Sequence, residues 1–187
     1  MRVLILGGDG YLGWPTAMYL SSKGHDVAVA DNYLRRNLCR QYNVEPLFSP
    51  PNLFERVGLW EQLSDKKIEV HIGDCCDYSF LSSVVMEFQP DTVVHYAEQP
   101  SAPFSMLNYT AARLTLNNNL QATQNIAWAM HEYVPECHLI KLGTMGVYGT
   151  PDIDIEEGWI DIHHKGRQDR FLFPRQASSF YHTPPDT

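Results

Sequence analysis

The chain has 187 residues, 44% hydrophobic and 19% charged, with 14 Lys plus Arg against 22 Asp plus Glu and a formal charge of −8. That profile describes one globular domain with a real core and excludes a disordered or collagen-like chain. The acidic balance argues against nucleic-acid backbone binding, which needs a basic face, and no apolar run reaches the ~18 to 20 residues that span a bilayer.

Read in chain order, Arg2 to Leu6 is a short apolar strand that stops at Gly7. Tyr11 to Lys23 carries Leu12, Ala17, Met18 and Leu20 at helical spacing and closes at Gly24. Val27 to Ala30 is a second buried strand, and Leu34 to Asp65 holds two helices separated by a loop with Pro46, Pro50 and Pro51. Ile68 to Ile72 is a third strand, Tyr78 to Phe88 a helix, and Thr92 to Tyr96 a fourth strand. Phe104 to His131 reads as one long helical stretch and His138 to Leu142 as a fifth strand. Strands alternating with helices predict an α/β fold with a doubly wound parallel sheet. Beyond Gly149 the period changes to two, and Lys165-Gly166-Arg167 signals a turn, so a small hairpin insert is expected over 151–174.

Cys39, Cys75, Cys76 and Cys137 lack the spacing of a disulfide framework or a metal knuckle. His163-His164 reads as a turn flank, so no metal site is predicted. The N-terminus runs straight into glycines without the layout of a signal or transit peptide, and a cytoplasmic location is expected.

The chemistry-bearing motif is Gly7-Gly8-Asp9-Gly10-Tyr11-Leu12-Gly13, between a strand and a helix. Gly7, Gly10 and Gly13 supply a tight turn, close backbone approach to a pyrophosphate, and close helix–strand packing. Asp31 ends the second strand about twenty residues on, where a carboxylate can accept the hydroxyls of an adenosine ribose and repel a 2′-phosphate. The predicted cofactor is therefore NAD, although Arg35 and Arg36 lie close enough to hold such a phosphate. Gly73-Asp74 follows the third strand, where Asp74 reads equally as an adenine-side contact or a helix N-cap.

Further stretches are Glu98-Gln99, Ser101-Ala102-Pro103, Asn118-Asn119, Leu142-Gly143-Thr144-Met145-Gly146, Ile153-Asp154-Ile155-Glu156-Glu157-Gly158 and Gln176-Ala177-Ser178-Ser179-Phe180-Tyr181-His182. With the glycine loop they make the chain resemble the UDP-sulfoquinovose synthases of the extended short-chain dehydrogenase/reductase superfamily. The resemblance implies joining of UDP-glucose and sulfite into UDP-sulfoquinovose, with NAD bound. Oxidation at the sugar C4 acidifies C5, water leaves from C6, sulfite adds, and the hydride returns. It implies Tyr181 as the base at the C4 hydroxyl and Thr144 as its partner on the substrate. It places Tyr11, Leu12, Asp31, Asn32, Tyr33, Leu34, Arg35, Arg36, Asp74, Cys75 and Asn118 on NAD. Gln99, Met145 and His182 fall on the substrate and sulfite region.

The sequence also departs from that family. The superfamily needs Tyr-x-x-x-Lys on one helix face, and here Pro185 stands at the lysine position after Tyr181. Without the lysine, a phenol of pKa near 10 is ionised only about one part in a thousand at neutral pH. Pro100 and Val147 replace an expected arginine and glutamate, and the family pattern ends at Thr183. The expectation is an α/β, NAD-binding Rossmann domain over 1–187, a doubly wound parallel sheet of order 3-2-1-4-5, that lacks the C-terminal substrate domain, with 175–187 a truncated catalytic helix region, inactive alone. A homo-oligomer or a second chain would complete the site. Another nucleotide-sugar epimerase or dehydratase, a non-catalytic NAD module and a remnant with an uncapped fifth-strand edge remain the alternatives.

Overall fold

The computed structural model describes residues 1–149, 152, 154 and 158–172. They fall in two compact units, Met1–Gln99 with Asn117–Leu142, and Pro100–Leu116 with the chain from Gly143 onward.

The first unit is built on a five-stranded sheet, parallel as the alternation predicts, in the order β3-β2-β1-β4-β5 expected of a Rossmann domain. Its strands are β1 (Arg2–Leu6), β2 (Asp26–Asp31), β3 (Ile68–Ile72), β4 (Thr92–His95) and β5 (His138–Lys141). Side chains alternate across a strand, so β1 feeds two cores. Leu4 and Leu6 pack with Ala28, Ala30, Val93, Leu81, Val84, Val85, Phe88, Ala122 and Ile126 on one face. Val3 and Ile5 pack with Val27, Val29, Ala17 and Leu53 on the other. Burial on both faces explains the continuous apolar runs of β1 and β2. At the sheet edge β5 is half exposed, and Ile140 retains 43% of its surface.

Helix α1 (Gly13–Ser22) starts two residues later than its periodicity suggests, because Tyr11 and Leu12 belong to the glycine loop. It stops before Gly24, whose φ of +84° suits glycine. The segment after β2 holds α2 (Leu34–Gln41) and α3 (Leu53–Ser64), the latter opened by an Asn52/Glu55 capping box. Helix α4 (Tyr78–Phe88) is capped by Asp77, which accepts from Ser79 and Phe80 N–H groups. The N-cap role considered for Asp74 is thus filled three residues later.

The stretch read as one helix from Phe104 to His131 is two, α5 (Ala102–Ser105) and α6 (Tyr109–Tyr133). The chain breaks at 106–108 because the Asn108 side chain accepts from Ala111 N–H at 3.0 Å and starts α6 afresh. The second unit contains α5, the first turns of α6, a 3₁₀ turn (Met145–Tyr148) and the antiparallel hairpin of β6 (Trp159–His164) and β7 (Arg167–Leu172). Lys165 and Gly166 both have positive φ, 47° and 73°, as a two-residue hairpin turn that follows strand twist requires. Among the described residues no helix is long and apolar enough to cross a membrane.

Candidate functional site

Sheet order reverses between β1 and β4, and their C-terminal ends open the crevice where such sheets take ligands. The glycine loop leaves β1 pinned to β2, with Gly7 and Gly8 N–H donating to Ala30 O at 2.8 and 3.2 Å. The three glycines have distinct physical reasons. Gly7 has φ +87°, and a Cβ there would lie 2.7 Å from the Tyr96 carbonyl carbon. A Cβ on Gly13 would sit 2.0 Å from Gly7 O, so only glycine lets α1 pack this close. At Gly10 a Cβ would meet only Gly7 O, at 3.2 Å. The space over Gly10 is what a bulky ligand group would use. The residue before α1, Leu12, offers no side-chain cap. In the first turn Trp14 N–H donates to Gly10 O at 3.3 Å and Thr16 N–H to Leu12 O at 3.1 Å. Pro15 has no N–H, which leaves the Gly13 N–H as that turn's donor for an anion. Tyr11 and Leu12 are exposed at this end.

Asp31 stands at the end of β2, mostly buried. Its Oδ2 accepts from Asp9 N–H at 2.9 Å and its Oδ1 from Tyr33 N–H at 2.7 Å. A carboxylate has about four acceptor positions, so room remains for a hydroxyl donor. Burial raises its pKa, partly opposed by those two backbone donors. Asn32 accepts from Leu34 N–H at 2.8 Å and starts α2. Tyr33 adopts a left-handed conformation, φ 57°, and its hydroxyl accepts from Leu53 N–H at 3.0 Å, which ties the start of α3 to the end of β2. Arg35 is exposed. Arg36, in contrast, is fully engaged: Nε and Nη2 donate to the Asp9 carboxylate at 2.6 and 2.7 Å, and Nη1 to Pro50 O at 2.8 Å.

After β3, Asp74 turns the chain by accepting from Cys76 N–H at 2.8 Å. The Cys75 thiol is packed in the core and burial holds it protonated; the Cys76 thiol, also desolvated, is pushed up to about 12. Neither is a thiolate nucleophile at neutral pH.

On α6, Asn118 donates through Nδ2 to Ala97 O at 3.3 Å. Its neighbour Asn119 accepts from Gln99 N–H at 2.9 Å and donates to Gln99 O at 3.3 Å, so the pair fixes the loop after β4 and buries Gln99. At the same strand ends Lys141 pairs with Glu98 at 2.6 Å. His95, fully buried at the end of β4, is pushed down to about 4 by desolvation and by the Lys141 charge.

In the second unit Thr144 Oγ1 accepts from Gly146 N–H at 3.2 Å, opening the 3₁₀ turn that begins at Met145. Val147, at the family's glutamate position, is buried. Tyr181, His182 and Pro185 lie outside the described residues. The structure therefore gathers Gly7, Gly10, Gly13, Asp31, Asn32, Tyr33, Leu34 and Arg36 around the ends of β1 and β2. Asp74 follows β3, and Gln99 and Asn118 meet after β4. The sequence reading missed Asp9, Arg56 and Asn119. Asp9 and Asn119 sit inside quoted motifs, so their position was a usable signal; Arg56, 47 residues from Asp9, carries none.

Comparison with known proteins agrees with this geometry. Residues 3–163 match the NAD dependent epimerase/dehydratase family. The chain is 50% identical to the chloroplastic UDP-sulfoquinovose synthase of Spinacia oleracea, over 97% of this chain and 38% of that protein. It is 39% identical to the UDP-sulfoquinovose synthase of Sulfolobus acidocaldarius, over 97% of this chain and 47% of that one. The solved UDP-glucose 4-epimerase of Bifidobacterium longum, in complex with NAD⁺ and UDP, superposes with a TM-score of 0.63 at 27% identity, covering 82% of this chain and 40% of that one. The chain thus spans less than half the length of these relatives. Family match, strand order and glycine loop agree, and the chain belongs to the NAD dependent epimerase/dehydratase family.

Proposed function

We propose that this chain is the NAD-holding part of a UDP-sulfoquinovose synthase-type protein. The observation that carries the reading is the 50% identity to the spinach synthase over almost the whole chain, well above the 27% to the epimerase of known structure. The crevice fits the cofactor on its own terms. Gly10 leaves the face that a pyrophosphate would occupy clear of side chain, and the uncapped start of α1 offers the Gly13 N–H. Asp31 keeps free acceptor positions for the adenosine ribose. When bound, NAD would supply the hydride acceptor and donor for the C4 oxidation and re-reduction of UDP-glucose, with sulfite as the second substrate.

The chain's own residues orient and move protons. Asn118 and Asn119 hold the loop after β4, and Thr144 presents a hydroxyl for the substrate. Tyr181 takes the C4 proton in this reading, and Pro185 in place of lysine leaves that phenol without its activating neighbour. In this reading the chain, which spans less than half the length of these relatives, binds NAD. Binding is tested by calorimetric titration with NAD. Asp31→Ala should weaken it by about tenfold or more, as loss of charge-assisted hydrogen bonds implies; absence of binding to the unaltered chain would overturn the reading. The substrate class is tested with a chimera that continues this chain, with Pro185→Lys, into the remainder of the spinach relative. Sulfite-dependent UDP-sulfoquinovose formation is expected, and UDP-galactose without sulfur incorporation would rule out the synthase assignment.

A further inference from the structure

Asp9 has no role in that reading, yet it is the hub of the glycine loop. Its carboxylate is 9% exposed and receives two arginines: Arg36 through Nε at 2.6 Å and Nη2 at 2.7 Å, and Arg56 through Nη2 at 2.9 Å. Further guanidinium donors bind the loop before α3. Arg36 donates to Pro50 O at 2.8 Å and Pro51 O at 2.7 Å, and Arg56 Nε to Pro51 O at 2.9 Å. Aromatic rings flank both cations, Tyr33 at 5.3 Å from Arg36 and Trp14 at 5.6 Å from Arg56. The cluster adjoins the ribose carboxylate, because the Asp9 N–H donates to Asp31 Oδ2 at 2.9 Å.

Two arginines next to the adenosine ribose are what a dinucleotide carrying a 2′-phosphate would recruit, since a guanidinium matches a phosphate in charge and geometry. Here both are engaged by one carboxylate that belongs to the phosphate loop itself. Asp9 and Asp31 together balance the charge of these two cations, and Arg35 beside them is exposed.

We propose that Asp9 is a cofactor-specificity residue: by occupying Arg36 and Arg56 it withholds them from a 2′-phosphate, so that the crevice selects the dinucleotide with a free 2′-hydroxyl. The proposal rests on the NAD-binding reading and adds to it a second carboxylate, beyond Asp31, that sets the preference. Asp31 acts by accepting ribose hydroxyls. Asp9 acts at one remove, through the arginines, and is a positioning residue.

The test is calorimetric titration of the chain with NAD and with NADP, in the unaltered protein, in Asp9→Asn and in Asp9→Asn/Arg36→Ala. The unaltered chain should bind NAD at least about tenfold more tightly than NADP. Asp9→Asn should narrow the ratio by about tenfold, the worth of a released charge-assisted contact, and adding Arg36→Ala should restore it. Should Asp9→Asn fail to fold by circular dichroism, Arg36→Ala alone carries the test. It keeps both carboxylates and removes one cation, so the preference for NAD should widen. NAD binding with a ratio that no variant moves would overturn the role of Asp9 alone. Binding of neither dinucleotide by the folded chain would overturn the cofactor reading and this inference with it.

Discussion

The crevice at the ends of β1 and β2 and the β6–β7 hairpin are held together by opposite means. In the crevice, contacts join residues far apart in sequence: Asp31 to Asp9 across 22 positions, Arg56 to Asp9 across 47, and Tyr33 to Leu53 across 20. In the hairpin, pairing runs outward from Lys165-Gly166, and the ion pair of Arg170 with Asp161 spans nine positions on an exposed face. The first kind of structure exists only when the sheet is assembled. The second is specified by its own turn. A change in the crevice should therefore reach both stability and binding, whereas a change in the hairpin should stay local.

The largest effect that would sharpen this contrast is expected from Gly13→Ala. The added methyl would fall 2.0 Å from Gly7 O, which is backbone and cannot swing aside. Denaturant unfolding should show a loss of about 3 kcal/mol, with NAD affinity falling in step. Gly10→Ala is the control, since its methyl meets only one atom at 3.2 Å. It should lower stability by less than about 1 kcal/mol and still abolish NAD binding. Equal stability losses in the two variants would break the distinction drawn between a packing glycine and a ligand glycine.

Next in size is the acid response of His95. Its folded pKa of about 4 lies below the unfolded value of about 6.5, so the unfolded chain binds the extra proton in that window. Stability is then full above about pH 6.5 and falls as pH drops toward 4, by about 3 kcal/mol from this group. Asp31 works in the opposite sense. Burial raises its pKa, so the folded state is relieved as that carboxyl protonates. Unfolding free energies measured from pH 7 to 4 should fall, and His95→Gln should remove the His95 share. An unchanged slope in that variant would contradict the assignment.

The smallest effect belongs to the hairpin. Gly166 has φ +73° and open space around its Cβ position, so Gly166→Ala meets backbone strain alone, about 1 kcal/mol. Proton chemical-shift changes should stay within β6 and β7, and NAD affinity should not move. A loss of NAD affinity in this variant would show that the two regions are coupled.

How much of this was legible in the sequence follows the same divide. The α/β alternation, the glycine loop and the two-residue turn were readable, because each is written in residues close together or in a repeating period. The single helix expected over 104–131 failed at 106–108, where periodicity continued but the Asn108 side chain offered the backbone a competing hydrogen bond. Asp74 reads in sequence as a possible helix cap. Only Asp77 accepts the N–H groups of the first turn of α4, while Asp74 closes the turn before it. Arg36 appeared as a candidate phosphate ligand for want of any sign of its partner.

By itself, then, the sequence determined the α/β alternation, the parallel sheet, the nucleotide-type glycine loop with Asp31 behind it, and the hairpin turn. These depend on local backbone preference and on apolar periodicity, which a linear chain displays openly. Only the tertiary structure decided that Asp9 gathers Arg36 and Arg56, that Asn119 pins Gln99, and that His95 is buried beside the Lys141 charge. Electrostatic and hydrogen-bond partners are selected by distance in space, and folding sets those distances through the packing of elements that the sequence holds many residues apart.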